Sequence, residues 1–320
     1  MQTILGAGGV IGEELSRELP DHTDRIRQVS RTPRRVNRSD ELMAADLLDP
    51  VATARAVEGS EVAYLTAGLP YDAEIWERDW PRIMDNVMEA CRRHSARLVF
   101  LDNVYAYGRV RGPMTEETPF NPCSRKGEVR ARIATTLLEA MAAGELEAMI
   151  VRAADFYGPG AESSVTHHTV FQRIQDGKPP RWLGNPKAAH SFSFTPDVAR
   201  SLALLGNRPQ AYGRSWHALT DGEQMSGIRF VETACEAARV PYELQVPPGW
   251  LLWAMGLFNP VLKENREMMY QFNHNYHFDS STTQQALGVD PTPYQKGIAR
   301  TVGATPRSAQ SVFLPRRVRE

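Results

Sequence analysis

Gln2-Thr3-Ile4-Leu5-Gly6-Ala7-Gly8-Gly9-Val10-Ile11-Gly12 is the stretch on which the fold turns. Its first four residues make a short apolar strand. Gly6, Gly9 and Gly12 follow with G-x-x-G-x-x-G spacing, and Glu13 to Leu19 reads as a helix ended by Pro20. Glycines between a strand and a helix have a specific physical use. They let the chain turn tightly off the strand, bring the backbone close to a pyrophosphate and aim the helix N-terminus at its charge. Gly6, Gly9, Val10, Ile11 and Gly12 are therefore candidate dinucleotide ligands. The plain alternative is a tight turn with no ligand, and a glycine triplet alone does not separate the two.

Outward from this loop, apolar runs recur at regular intervals. Ile26 to Val29 is a second strand, followed by a basic loop. Asp46-Leu47-Leu48-Asp49-Pro50 opens a helix through about Val57, and Val62 to Ala67 is a third apolar run. Trp80, Ile83, Met84, Val87, Met88 and Cys91 have the i, i+3, i+4, i+7 spacing of an amphipathic helix. Leu98 to Leu101 is the next strand. Lys126 to Ala143 is rich in helix formers and stops at Gly144, and Ala148 to Arg152 is a further strand. Strand and helix thus alternate through the first half, which predicts the α/β class: a doubly wound parallel Rossmann sheet. After residue 155 the rhythm loosens. Residues 1–155 are read as the Rossmann dinucleotide-binding domain and 156–305 as a smaller, irregular C-terminal substrate-binding lobe with some return to the sheet. Residues 306–320 read as a polar basic tail.

Of the 320 residues, 42% are hydrophobic and 23% charged, as in an ordinary globular chain with a full core. The net charge of -1 offers no footprint for nucleic acid or an anionic membrane. Trp250 to Phe258, the longest apolar run, falls short of the roughly 20 residues of a membrane span. Cys91, Cys123 and Cys235 form no CxxC pair, and no signal peptide precedes the first strand, so a reducing, cytoplasmic setting is expected. Cys91 reads as core filler; Cys123 lies in a loop near the expected site. His167-His168 has no third ligand at a suggestive spacing, so no metal is expected.

The end of the second strand points to the cofactor. An acidic residue there would bond the adenosine ribose hydroxyls of NAD. This chain has Val29-Ser30-Arg31, then Arg34, Arg35 and Arg38. No carboxylate repels a 2'-phosphate; Ser30 can donate to it and Arg31 can clamp it. NADP is therefore expected over NAD. The alternative is a solvated basic loop, for which Arg35 and Arg38 are good candidates. Asp46-Leu47 falls where an acid can reach the adenine amino group.

Gly6 to Gly12, Asp46-Leu47, Thr66-Ala67-Gly68, Asn86, Tyr107-Gly108, Pro119 to Pro122 and Arg152 to Gly160 together resemble the extended short-chain dehydrogenase/reductases of the NAD-dependent epimerase/dehydratase group. Phe194 to Ala199, Asp279 and Ala286-Leu287-Gly288 extend the resemblance over most of the chain. It adds Thr66, Ala67, Gly68 and Asn86 to the candidate cofactor residues. It also implies a Tyr-x-x-x-Lys pair and a Ser or Thr, which exchange the proton, hold the nicotinamide ribose and orient the substrate oxygen. Anchored on Tyr107-Gly108 and Pro122 to Gly127, the hydroxyl position falls on Asn103, the Tyr on Lys126 and the Lys on Arg130. All three are substituted, which marks an atypical member.

Arg130 can bond ribose hydroxyls, and Asn103 can donate an amide hydrogen to a carbonyl. Lys126 lies four residues before Arg130, so two cations share a helix face; with partial burial this makes Lys126 a candidate general acid or base and a second cofactor contact. Tyr105 is the alternative acid, Tyr107 reads as packing, Tyr157 as part of the cleft wall, and His190 as either cleft or core. Trp250, Trp253, Met255 and Phe258, and likewise Met268 to Phe272, would line a pocket for a partly apolar small molecule or belong to the core. Two functions stay open: an NADP-dependent oxidoreductase or epimerase with a non-standard site, and a degenerate dinucleotide-binding sensor or scaffold. Apolar residues on the helices near 80–94 and 126–143 permit the homodimer that the resemblance implies.

Overall fold

Strands whose two faces are both covered need apolar side chains at successive positions, and the runs quoted above supply them. The computed structural model describes residues 1–248, 264 and 266–304. Trp250, Trp253, Met255, Phe258 and the tail 306–320 lie outside the described residues. The central sheet holds β1 (Gln2–Leu5), β2 (Ile26–Ser30), β3 (Glu41–Ala44), β4 (Val62–Leu65), β5 (Arg97–Asn103), β7 (Ala148–Ala153) and β10 (Ser215–His217). Its order is β10-β7-β5-β4-β1-β2-β3, with every pair parallel. Outside it, β6 (Pro113–Met114) pairs with β11 (His277–Phe278), and β8 (Asp155–Tyr157) with β9 (Phe192–Phe194).

The sheet's side chains divide cleanly between its faces. Ile4, Tyr64, Val99 and Met149 pack with α1 (Val10–Glu18) and the helix Thr195–Gly206. Leu5, Leu65, Phe100 and Ile150 pack with α2 (Pro50–Val57), α3 (Ala73–His94) and α4 (Arg125–Ala142). A separate aromatic core around Tyr157, Trp182, Phe192 and Phe230 holds the helices Gly227–Ala238 and Tyr294–Ala304 in the C-terminal half. Among the described residues no helix is long and apolar enough to cross a membrane.

Two elements, β3 and α3, depart from the sequence expectations. β3 forms at the sheet edge, where the sequence shows only a loop; three of its four residues are exposed, so no apolar alternation marks it. α3 starts at Ala73, not near Trp80, and runs through Pro81. Asp72 caps it by accepting from the Glu74 and Ile75 N–H groups, and the Glu77 carbonyl, which Pro81 cannot serve, lies 3.5 Å from Arg132 Nη2. β10 brings residues of the C-terminal half into the sheet beside β7.

Candidate functional site

The C-terminal ends of parallel strands are where an open α/β sheet leaves a crevice. Gly6, at the end of β1, has φ +108°, and a Cβ there would stand 2.4 Å from Ala67 Cα. A Cβ on Gly12 would lie 3.0 Å from the Gly6 carbonyl and 3.4 Å from Thr66 Oγ1. The strand end, the first turn of α1 and the Thr66-Ala67 loop therefore meet backbone to backbone. Gly9 is the N-cap of α1, and no side chain caps it, so the first N–H groups, at Val10, Ile11 and Gly12, lack intrahelical partners. Gly68 is open.

Ser30 ends β2 across from Gly8, its Oγ 3.9 Å from where a Gly8 Cβ would stand. That hydroxyl is buried without a hydrogen-bond partner. Arg31 beside it is exposed and makes no ion pair among the described residues. The nearest acid along the loop, Asp40, is buried and occupied: it accepts from the Val36 and Asn37 N–H groups, at 3.0 and 2.7 Å, and from Gln28 Nε2 at 3.0 Å. It shapes the basic loop. Arg35 donates to the Arg38 and Asp40 carbonyls, so it too is a loop brace. A cradle that only glycine fits and an orphaned hydroxyl at the strand end both suit a bound dinucleotide. Asp46 is exposed, its carboxylate accepting from the Leu48 N–H, and Asn86 Nδ2 donates to the Leu47 carbonyl at 2.9 Å. Asn86 thus braces the loop that carries Asp46 and Leu47.

At the end of β5, Asn103 Oδ1 accepts from the Tyr105 N–H at 3.0 Å, which leaves its amide hydrogens as the free end. Tyr105 stacks on Trp76, and its hydroxyl lies 3.5 Å from that of Tyr71. Burial, above all, pushes both phenols well up, so both stay protonated and act as donors.

Lys126 and Arg130 correct the sequence expectation. Their shared helix face brings no like-charge contact, because each cation has its own carboxylate. Lys126 is wholly buried, its Nζ bonded to Glu264 and, at 2.8 Å, to Glu267, and 4.5 Å over the Tyr71 ring. Glu264 also accepts from the Ala73 N–H and Glu267 from the Arg125 N–H, so the two carboxylates clasp the starts of α3 and α4. Arg130 points into the protein, with Nε 2.7 Å from Asp102 and its guanidinium over Trp80. Asp102 takes Arg152 on its other oxygen. Arg152 Nη1 donates to Tyr107, whose hydroxyl lies 2.9 Å from His217 Nε2. Arg130 is therefore part of a buried charge network.

Sequence reasoning gave no role to Tyr71, Asp155, Tyr276, Glu264 and Glu267. The Glu264-Asn265-Arg266-Glu267 spacing was the one local signal; the others become neighbours only in space. His190, left open between cleft and core, bonds Asp155. Cys123 is exposed beside Tyr270, while burial pushes the Cys91 thiol up to about 12. Among the described residues no three His, Cys, Asp or Glu side chains converge as metal ligands.

The family model described as NAD dependent epimerase/dehydratase family matches residues 3–216. The uncharacterized protein y4nG of Sinorhizobium fredii (strain NBRC 101917 / NGR234) is 25% identical over 300 residues, 90% of this chain and 74% of that protein. The uncharacterized protein y4nL of the same organism is 32% identical over 100 residues, 31% of this chain and only 27% of that protein. The Thermus thermophilus UDP-glucose 4-epimerase complexed with NAD superposes with a TM-score of 0.75 at 19% identity, covering 95% of this chain and 98% of that one.

Proposed function

The chain belongs to the NAD dependent epimerase/dehydratase family, and from that premise we propose that it is an NADP-dependent oxidoreductase or epimerase acting on a carbonyl or alcohol. The observation that carries the cofactor choice is the end of β2: an orphaned, buried Ser30 hydroxyl followed by an exposed Arg31, with Asp40, the nearest acid along the loop, turned into its own loop. A 2'-phosphate there would gain a charge-assisted bond from Arg31. The α1 N-terminus and the Gly6, Gly9 and Gly12 backbone would take the pyrophosphate, and Thr66-Ala67 the passage across β4. The nicotinamide of such a cofactor supplies or accepts a hydride. The protein's part is to bind and orient: the Asn103 amide and the Tyr105 hydroxyl are donors suited to a substrate oxygen. We take the substrate to be a small molecule with an apolar part, in keeping with the Tyr71, Trp76 and Tyr105 rings.

A second reading, a dinucleotide-binding sensor or scaffold, draws on one observation: both cations at the family's catalytic positions are consumed by carboxylates. Titrating cofactor-stripped protein with NADPH and with NADH, by nucleotide fluorescence, tests the cofactor. NADPH is expected to bind more tightly. Arg31→Ala should weaken NADPH at least tenfold, the order expected for a charge-assisted bond, and leave NADH unchanged. Equal affinities would refute the NADP assignment. Oxidation of NADPH with any of a panel of ketones, aldehydes, enones or nucleotide sugars would exclude the sensor.

A further inference from the structure

We propose that Asp155 is the catalytic acid-base of this site and that His190 holds its proton, an assignment that rests on the cofactor reading above. Lys126 is clasped by two carboxylates, so the proton carrier is sought elsewhere among the described residues.

His190 is 2% exposed. Its Nδ1 lies 3.2 Å from the Gln271 carbonyl oxygen, and its Nε2 3.0 Å from Asp155 Oδ2. A carbonyl only accepts, so Nδ1 carries a hydrogen. A second hydrogen must then sit between Nε2 and Oδ2, because a bare Nε2 would set its lone pair against a carboxylate. Phe192, Phe272 and Tyr276 stack on the ring at 4.4, 4.6 and 4.5 Å between centroids and hold its plane. The pair therefore stores one proton, as imidazolium with carboxylate or as imidazole with carboxylic acid.

Asp155 lies two residues beyond Ala153, which pairs with Asn103 at the ends of β7 and β5. It opens β8 immediately beyond β7, and its Oδ1 makes no hydrogen bond among the described residues. It stands close enough to Tyr71, Tyr105, Tyr270 and Tyr276 that its charge adds to burial in raising all four phenols. The buried Tyr276 hydroxyl has no partner of its own. Asp155 is thus a carboxylate at the strand ends, beside Asn103, with an oxygen left over from the His190 contact.

The proton balance is simple. In the reducing direction the substrate oxygen takes the proton from Asp155, while its carbon would gain the hydride, with its two electrons, that a bound reduced nicotinamide supplies. The pair is left as neutral His190 and the Asp155 carboxylate, and one proton from water refills it. In the oxidising direction the pair starts without that proton, as neutral His190 and the Asp155 carboxylate; the alcohol O–H bond breaks, its proton goes to Asp155, and the carbon's hydride would pass to the oxidised nicotinamide. His190 touches no substrate and is a positioning residue.

Two measurements test this. Proton NMR of 15N-histidine-labelled protein without nucleotide should show a far-downfield, slowly exchanging hydrogen bound to a ring nitrogen of His190. His190→Gln should abolish it and identify it, and Asp155→Asn should remove it or move it upfield. Asp155→Asn should also keep the wild-type NADPH affinity while losing turnover about 100-fold or more, the usual scale of general acid-base catalysis. Absence of the resonance in the wild type overturns the stored proton, and needs no variant to fold. Turnover is read as NADPH oxidation with the panel of ketones, aldehydes, enones and nucleotide sugars; a rate within twofold of wild type in Asp155→Asn, or no turnover by a wild type that binds NADPH, overturns the catalytic role. A wild type that binds neither nucleotide would instead defeat the cofactor reading, whatever the NMR shows.

Discussion

Lys126 has no exposed surface, and its ammonium is held between Glu264 and Glu267. Removing one member of such a cluster strands the other charges. Lys126→Met should therefore destabilise the fold by about 3 kcal/mol, read as a lower urea midpoint, while combining it with Glu264→Gln and Glu267→Gln should recover much of the loss. NADPH affinity should not change. His217 sets a second residue-scale expectation. Burial first, and the Arg152 guanidinium after it, push its imidazole down to about 3, against the Asp279 carbonyl, which pulls it up. It is neutral in the fold and charges on unfolding below its usual value near 6.5. The unfolded chain then binds more protons, so stability falls as pH drops from about 6.5 toward 3, by up to about 1.4 kcal/mol per pH unit from this group. Urea melts at pH 7, 5 and 4 should show this slope, and His217→Gln should flatten it.

Helix starts carry the same logic at the level of elements. The Asp49 carboxylate accepts from the Val51 and Ala52 N–H groups at 2.8 and 3.2 Å, so Asp49→Ala should cost about 1 kcal/mol and lower the melting temperature by a few degrees. The start of α1 differs, because no side chain caps it. There Gly6→Ala should abolish nucleotide binding in fluorescence titration, since a Cβ at φ +108° would collide with the Ala67 backbone. Most sheet elements were legible because burial on both faces leaves unbroken apolar runs. β3 was not, because an exposed edge strand needs no apolar pattern; the first turns of α3 were not, because Pro81 masks a helix that Asp72 starts earlier.

For the whole molecule, the question is what the outer helices leave for a second copy. The outward faces of α3 and α4 carry Glu74, Glu77, Arg78, Arg82, Asp85 and Glu89, and Arg125, Glu128, Arg132 and Glu139. Their apolar residues are spent on the sheet and on each other. A homodimer through these helices, as the resemblance implies, would therefore join through ions, and sedimentation equilibrium should show it weakening between about 0.05 and roughly 0.5 M salt as the Debye length shrinks. Dimer mass unchanged by salt would place the contact elsewhere. The sequence by itself determined the alternating strands and helices, the glycine cradle and the basic end of β2, because each is written in residues a few positions apart. Only the tertiary structure decided which charges neutralise which. Lys126 finds Glu264 across 138 residues, Arg130 finds Asp102 across 28, and His190 finds Asp155 across 35. No local periodicity encodes such partners; they meet because the sheet gathers its strand ends on one edge and the C-terminal half folds back over them.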